Sequence, residues 1–160
     1  MYDRLHDTGE RLKKVERRLK TLDEHIRQSE NFKNGRRQKA HYEKLYAEYK
    51  TARKSTGFFA ERKAKKALYA ARDYYESNRT EIVLYDAAER YLRDALQGHF
   101  DVKKLPPMTK WKEERAAKTT ERKSLHADYY RLRDEVKNAE AIKRNVEQLT
   151  RADEPRRERI

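Results

Sequence analysis

Residues 5–26 read LHDTGERLKKVERRLKTLDEHI, and the spacing of their apolar side chains predicts the first element of the fold. Leucine or isoleucine recurs every seven residues, and a second apolar position follows three residues after two of them. This 3,4 spacing is typical of a helix that packs its apolar stripe on another helix. We name the stripe the helix seam, which consists of Leu5, Leu12, Val15, Leu19, Leu22 and Ile26. It predicts a helix over residues 3–31.

Three further helices are predicted, over residues 36–55, 60–97 and 110–150. Asn34-Gly35 is a turn signal, so the chain is expected to break between the first two helices. Gly57 is expected to close the second helix in a left-handed conformation, and Ser77-Asn78 is expected to weaken the third. Pro106-Pro107 disfavours helix within a connector over residues 98–109. Residues 151–160 are expected to be a frayed tail.

The composition agrees with a helical chain. Charged residues make up 43% of the 160 residues and apolar residues 36%, with only four glycines and three prolines. So polar a chain folds only if its apolar residues are gathered on stripes, because scattered ones bury too little surface to offset the ordering entropy. Short connectors favour antiparallel neighbours. The sequence predicts an all-α fold, a single module over residues 1–160, built as an elongated antiparallel helical hairpin or a three-helix bundle of coiled-coil-like helices.

The charge distribution points to a polyanionic partner. The net charge is +13, and residues 31–59 contain eight basic and two acidic residues. If the helices on either side of Gly57 fold back on each other, basic side chains from both converge at one end, where they would bind DNA phosphates without reading sequence. The predicted nucleic-acid-binding residues, which we name the basic set, are Lys33, Arg36, Arg37, Lys39, Lys50, Arg53, Lys54, Arg62, Lys63, Lys65 and Lys66. A merely solvated end is the alternative.

No motif of catalysis or metal binding is present in the sequence. The five histidines do not occur in a metal-binding spacing such as His-Glu-x-x-His, and neither a phosphate-binding glycine loop nor a nucleophile elbow occurs. There is no cysteine, which fits a reducing compartment. No apolar run approaches the roughly 20 residues of a membrane span. We therefore expect no catalytic residue, no metal, no cofactor, no membrane partner and a cytoplasmic location.

Eleven tyrosines allow two interpretations. Tyrosines can stack on the bases of single-stranded nucleic acid. Those on the apolar stripes, however, favour packing in or at the rim of a core, with the hydroxyl at the water boundary. These are Tyr42, Tyr49, Tyr75, Tyr85 and Tyr129.

Five blocks of the chain have a distinctive character: LKTLDEHIRQSENFK (19–33), YEKLYAEYK (42–50), TGFFAERKAKKAL (56–68), YYESNRTEIVLYDAAERYLRDAL (74–96) and KKLPPMTKW (103–111). Together they resemble the C-terminal region of relaxases, the mobilization nucleases of conjugative plasmids and integrative elements. Relaxases of this class nick one DNA strand with an N-terminal domain that holds a tyrosine nucleophile and a histidine-bound metal. The resemblance implies that this chain is the helical region downstream of such a domain. No tyrosine of the chain matches the nucleophile.

Two functions remain open as expectations. The first is a non-catalytic relaxase module that assists conjugative DNA transfer by contacting DNA or by docking to accessory or coupling proteins of the transfer machinery. The second is a coiled-coil spacer or self-association module, a homo-oligomer joined through the helix seam, with no role in nucleic-acid binding.

Overall fold

The computed structural model describes residues 1–104 and 106–157, and the side chains of residues 1–104 and 106–151. Its helices are α1 (Tyr2–Lys54), α2 (Ala60–Ser77), α3 (Arg79–Ala95) and α4 (Met108–Arg157). The described residues contain no strand, so the all-α prediction is confirmed. The contacts divide the chain into two units, Met1–Thr21 with Glu113–Ile160 (unit 1) and Leu22–Lys112 (unit 2). The single module and the hairpin or three-helix bundle stay predictions.

The break predicted at Asn34-Gly35 is wrong, because α1 runs without interruption from Tyr2 to Lys54. Gly35 is buried, and a Cβ built on it would lie 2.5 Å from the Glu81 carbonyl oxygen and 2.7 Å from the Tyr85 Cβ. The missing side chain therefore lets α1 approach the backbone of α3. Local sequence does not distinguish such a close helix contact from a turn, since both favour glycine.

One helix was predicted over 60–97, and the structure has two, α2 and α3. They meet at Asn78, within the Ser77-Asn78 pair where a weakening was expected. The Asn78 backbone N–H donates to the carbonyl oxygens of Tyr74 and Tyr75, and its side-chain amide donates to the Tyr74 carbonyl at 2.9 Å. An asparagine side chain that competes for backbone groups in this way interrupts a helix.

The last helix is longer than predicted. α4 begins at Met108, directly after Pro106-Pro107, where the missing proline N–H groups leave no intrahelical bond unmade. It continues to Arg157, so residues 151–157 of the predicted frayed tail are helical. Residues 158–160 of that tail lie outside the described residues.

In unit 1, α1 and α4 pack in antiparallel directions. The Tyr2 hydroxyl donates to Glu140 at 2.7 Å, and at the other end Arg18 donates two hydrogen bonds to Glu114, at 2.6 and 2.8 Å. Between these contacts lies a buried cluster of Leu12, Val15, Leu19 and Leu125. Three residues of the helix seam therefore pack within unit 1, and Leu5 is half-buried.

In unit 2, α1 packs antiparallel to α3 and α2, since His25 contacts Tyr91 whereas His41 contacts Tyr74. Phe32 is at the centre of the core, 4.8 Å from the Tyr85 ring and 5.2 Å from the Phe100 ring, measured between centroids. The core also contains the seam residue Leu22, with Ala88, Leu92 and Trp111, and the half-buried Ile26 packs against it.

Of the tyrosines assigned to apolar stripes, Tyr85 is buried, and Tyr42, Tyr49, Tyr75 and Tyr129 are half-buried. Among the described residues, no helix combines the length and the apolar composition that a bilayer span requires.

Candidate nucleic-acid interface

Residues 55–59 form the turn between α1 and α2. Ser55 caps the end of α1, with its backbone N–H donating to the Ala52 carbonyl at 3.2 Å and its hydroxyl to the Thr51 carbonyl at 3.3 Å. Gly57 adopts a φ of 142°, a positive value that favours glycine, as expected for the residue that ends the helix. Its carbonyl accepts from the Ala60 N–H at 3.0 Å, which starts α2.

Three members of the basic set are engaged within the chain. Lys39 Nζ lies 2.8 Å from Asp86, and Arg36 Nη2 donates to the Lys103 carbonyl at 2.9 Å. Burial acts to lower the pKa of Lys39, but the hydrogen bond and the negative charge of Asp86 outweigh it, so this pKa lies above its ordinary value. Lys65 pairs with Glu61 at 2.7 Å and lowers the pKa of that carboxyl.

Five members of the set lie near the turn and are exposed. We name them the turn cations: Arg53, Lys54, Arg62, Lys63 and Lys66. Within the described part of the chain, none of the five has a carboxylate at ion-pair distance. Lys50, one turn before them, stands 4.8 Å above the Tyr46 ring. The turn cations are therefore available to an external anion.

The structure does not gather the whole basic set at one place. Lys33 is 21 residues before Lys54 on a continuous helix, which is about 30 Å along the axis. The turn cations, in contrast, come from both helices. Lys63 of α2 and Thr51 of α1 line the same groove of about 550 Å³, so the two helices approach each other next to the turn. Lys33, Arg36, Arg37 and Lys39 lie farther from the turn on α1 than the turn cations, and the binding of DNA by any of these residues stays a prediction.

A second groove, of about 460 Å³, lies further along the same side of α1. It is lined by Arg37, Ala40, His41, Lys44 and Tyr74. The His41 and Tyr74 rings are 4.5 Å apart. Lys44 lines both grooves, so together they follow the junction between α1 and α2 from Arg37 to the turn.

Sequence reasoning missed Phe58 and Phe59 as functional residues. Phe58 is 95% exposed and Phe59 69% exposed, and their ring centroids lie 5.1 Å apart with an interplanar angle of 87°. The sequence placed both at a turn, but it assigned them no role. The available signal was their position, because adjacent aromatic residues in a turn between basic segments do not fall on an apolar helical stripe.

The histidines do not form a metal site in the described residues, where no group of three His, Cys, Asp or Glu side chains has a suitable arrangement. His25 is half-buried, and its Nδ1 shares a 2.9 Å hydrogen bond with the Tyr91 hydroxyl.

No family model, curated protein or solved structure matches this chain.

Proposed function

We propose that this chain is a non-catalytic helical module that binds DNA through the turn cations and assists conjugative DNA transfer as the C-terminal region of a relaxase. The observation that supports the proposal is the set of five exposed cations that have no carboxylate partner among the described residues. From residue 50 to residue 72 the chain has eight basic residues and a single acidic one, Glu61.

Elsewhere in the chain, basic residues are interspersed with acidic ones, and some exposed cations are paired. Lys13 lies 2.8 Å from Glu10, Arg27 lies 2.7 Å from Glu24, and residues 1–30 contain eight basic and seven acidic residues. Such a mixed surface is soluble without an excess of one sign. Solubility alone therefore does not account for the excess of basic over acidic residues beside the turn.

The electrostatic preference of helix ends accounts for only some of the turn cations. Arg53 and Lys54 lie in the last turn of α1, where the negative end of the helix dipole favours cations. Arg62 and Lys63 lie in the first turn of α2, where the positive end disfavours them. Their position is unfavourable for the isolated helix and favourable for binding an anion. DNA phosphates would pair with the cations at the end of α1 and with those at the start of α2. The release of condensed counterions would drive this binding.

The relaxase assignment, docking to accessory or coupling proteins and a cytoplasmic location are parts of the same proposal and rest on the five blocks of resemblance. The assignment requires that the reading frame encoding this chain continue upstream into a nuclease domain with a histidine cluster. Sequencing the gene tests that requirement independently of DNA binding, and an upstream frame without such a domain contradicts the relaxase assignment alone.

The DNA part is tested by reversing four turn cations. The variant Arg53→Glu, Lys54→Glu, Lys63→Glu and Lys66→Glu is expected to lose most of its DNA affinity at low salt. The slope of log affinity against log salt concentration should fall by about 3, because each lost phosphate contact removes roughly 0.7–0.9 from it. Fluorescence anisotropy of a labelled oligonucleotide at several salt concentrations measures both quantities.

The matched control reverses four exposed lysines of unit 1, with Lys14→Glu, Lys20→Glu, Lys123→Glu and Lys137→Glu. Each reversal changes the charge by two, so both variants go from +13 to +5. The control is expected to keep most of its affinity and its salt slope. Undetectable binding by the unmodified chain, or equal losses in the two variants, contradicts the proposal that the turn binds DNA.

A further inference from the structure

The two phenylalanines at the turn remain unexplained by phosphate binding. Phe58 and Phe59 are nearly free of protein contact on their outer faces, and neither belongs to the core of unit 2. Exposing two large apolar rings side by side is unfavourable in water, and a binding site for phosphates alone has no use for them. In the chain they lie between Lys54 and Arg62, two of the unpaired turn cations.

Unpaired nucleic-acid bases match this combination. Single-strand-binding surfaces join a positive groove that follows the phosphates with aromatic side chains on which the bases stack. We infer that the turn binds single-stranded nucleic acid, with bases stacking on Phe58 and Phe59 while the turn cations neutralise the adjoining phosphates; this inference rests on the proposed function. The rings now stand edge to face, and the exposure of Phe58 leaves it free to rotate towards a second base.

The grooves beside the turn provide a path for the rest of the strand. They run from Ser55 in the turn along α1 to Arg37, which is 18 residues or about 27 Å. Arg37, Lys44 and Lys63 supply positive charge along this path, and the Tyr74 and His41 rings stand at its far end. Glu48 also lines the groove and is its acidic member. A flexible single strand can bend into such a groove, whereas a duplex keeps its bases stacked and inaccessible to the rings.

An anionic membrane surface also attracts apolar rings surrounded by cations. Rings inserted at the headgroup boundary reach a depth of about 5–10 Å, so a bilayer seated on the turn would contact only the helix ends. The aromatic and basic residues about 27 Å away along α1 would remain unused. Nucleic acid uses the turn and the grooves together, and the observations therefore favour it.

The test distinguishes binding to the bases from binding to the phosphates. Binding of the unmodified chain is compared for an oligothymidine of about 15 nucleotides, an abasic strand with the same number of phosphates, and a duplex of that length. The same ligands are then offered to the double variant Phe58→Ala with Phe59→Ala. Substitution of two exposed rings leaves the core intact. Tyr69→Ala, which removes another exposed ring of α2, is the matched control.

We expect the unmodified chain to prefer oligothymidine over the abasic strand by about 5-fold or more for each stacked base. The double variant should lose that preference while retaining its affinity for the abasic strand, and Tyr69→Ala should keep both. If the unmodified chain binds neither strand at low salt, the proposed function itself fails. If it binds both strands equally, or if the double variant keeps the preference, phosphate binding stands and base stacking is wrong.

Vesicles containing phosphatidylserine supply the remaining comparison. If the double variant loses vesicle binding and keeps oligothymidine binding unchanged, the rings serve a membrane and the inference is overturned. Base stacking is supported if the unmodified chain and the double variant bind vesicles equally and only the double variant loses the preference for oligothymidine over the abasic strand.

Discussion

Gly35 is the residue at which a single added carbon atom should have the largest effect. A Cβ there would lie 2.5 Å from the Glu81 carbonyl oxygen, a backbone atom that cannot move without shifting α3. Alanine in mid-helix is favoured over glycine by about 1 kcal/mol, so propensity alone predicts stabilisation. We expect the clash to dominate, and Gly35→Ala to lower the free energy of unfolding by about 1–3 kcal/mol, measured by urea titration followed by circular dichroism.

Gly9 is the matched control, because it lies in the same helix without the same crowding. A Cβ on Gly9 would lie 3.4 Å from a ring carbon of Tyr129, a side-chain atom with room to adjust. Gly9→Ala should leave the unfolding free energy unchanged or raise it by up to about 1 kcal/mol. If Gly35→Ala stabilises the chain as much as Gly9→Ala does, the close approach of α1 to α3 is incorrect.

At the scale of the element, α4 contains a buried and an exposed leucine, so that the same substitution by alanine can be compared in two environments. Leu125 is 5% exposed against the helix seam, whereas Leu149 is 67% exposed. Leu125→Ala is expected to lower the free energy of unfolding by about 2–5 kcal/mol, through lost transfer energy and the cavity left behind. Leu149→Ala should change it by less than about 0.5 kcal/mol. Similar losses for both, in the same urea titration, would mean that Leu149 is covered in solution.

The same helix shows how far periodicity predicts structure. The heptad spacing of Leu12 and Leu19 predicted their helix and its buried face, because an apolar stripe at that spacing is stable only when another element covers it. Periodicity also favours an apolar face at Val146 in α4, yet this residue is exposed. Spacing identifies a face of a helix, and the partner that covers it depends on where the other helices end.

The candidate interface was predictable to a similar degree. Gly57 predicted the turn, and counting charges located the basic excess around it, since charge along the chain is a property of the sequence alone. The pairing of individual cations was not predictable: Lys39 meets Asp86 from α3, and Arg36 donates to the carbonyl of Lys103. Both contacts depend on how α1 packs within unit 2. The exposure of Phe58 follows from the geometry of the turn, and its position off any apolar helical stripe was the one sequence signal for it.

At the scale of the whole molecule, the rival function is self-association through the helix seam. Leu12, Val15 and Leu19 are buried against α4, and Leu22 is buried in the core of unit 2, so a second copy would have to displace these contacts. The net charge of +13 adds repulsion between copies at low salt. We therefore expect sedimentation equilibrium to give the 19.4 kDa mass of one chain over a wide range of concentration.

The salt dependence of that mass distinguishes two reasons for a monomer, charge repulsion between copies and burial of the helix seam. If repulsion alone keeps the copies apart, raising the salt screens it and the mass should rise with concentration. If the buried seam is the reason, the mass stays constant at high salt. A rise at high salt is then tested with Ile142→Ser, Val146→Ser and Leu149→Ser, which remove three exposed apolar residues near the end of α4. Association that survives this variant does not depend on these three residues, and association through the seam would favour the spacer function over DNA binding.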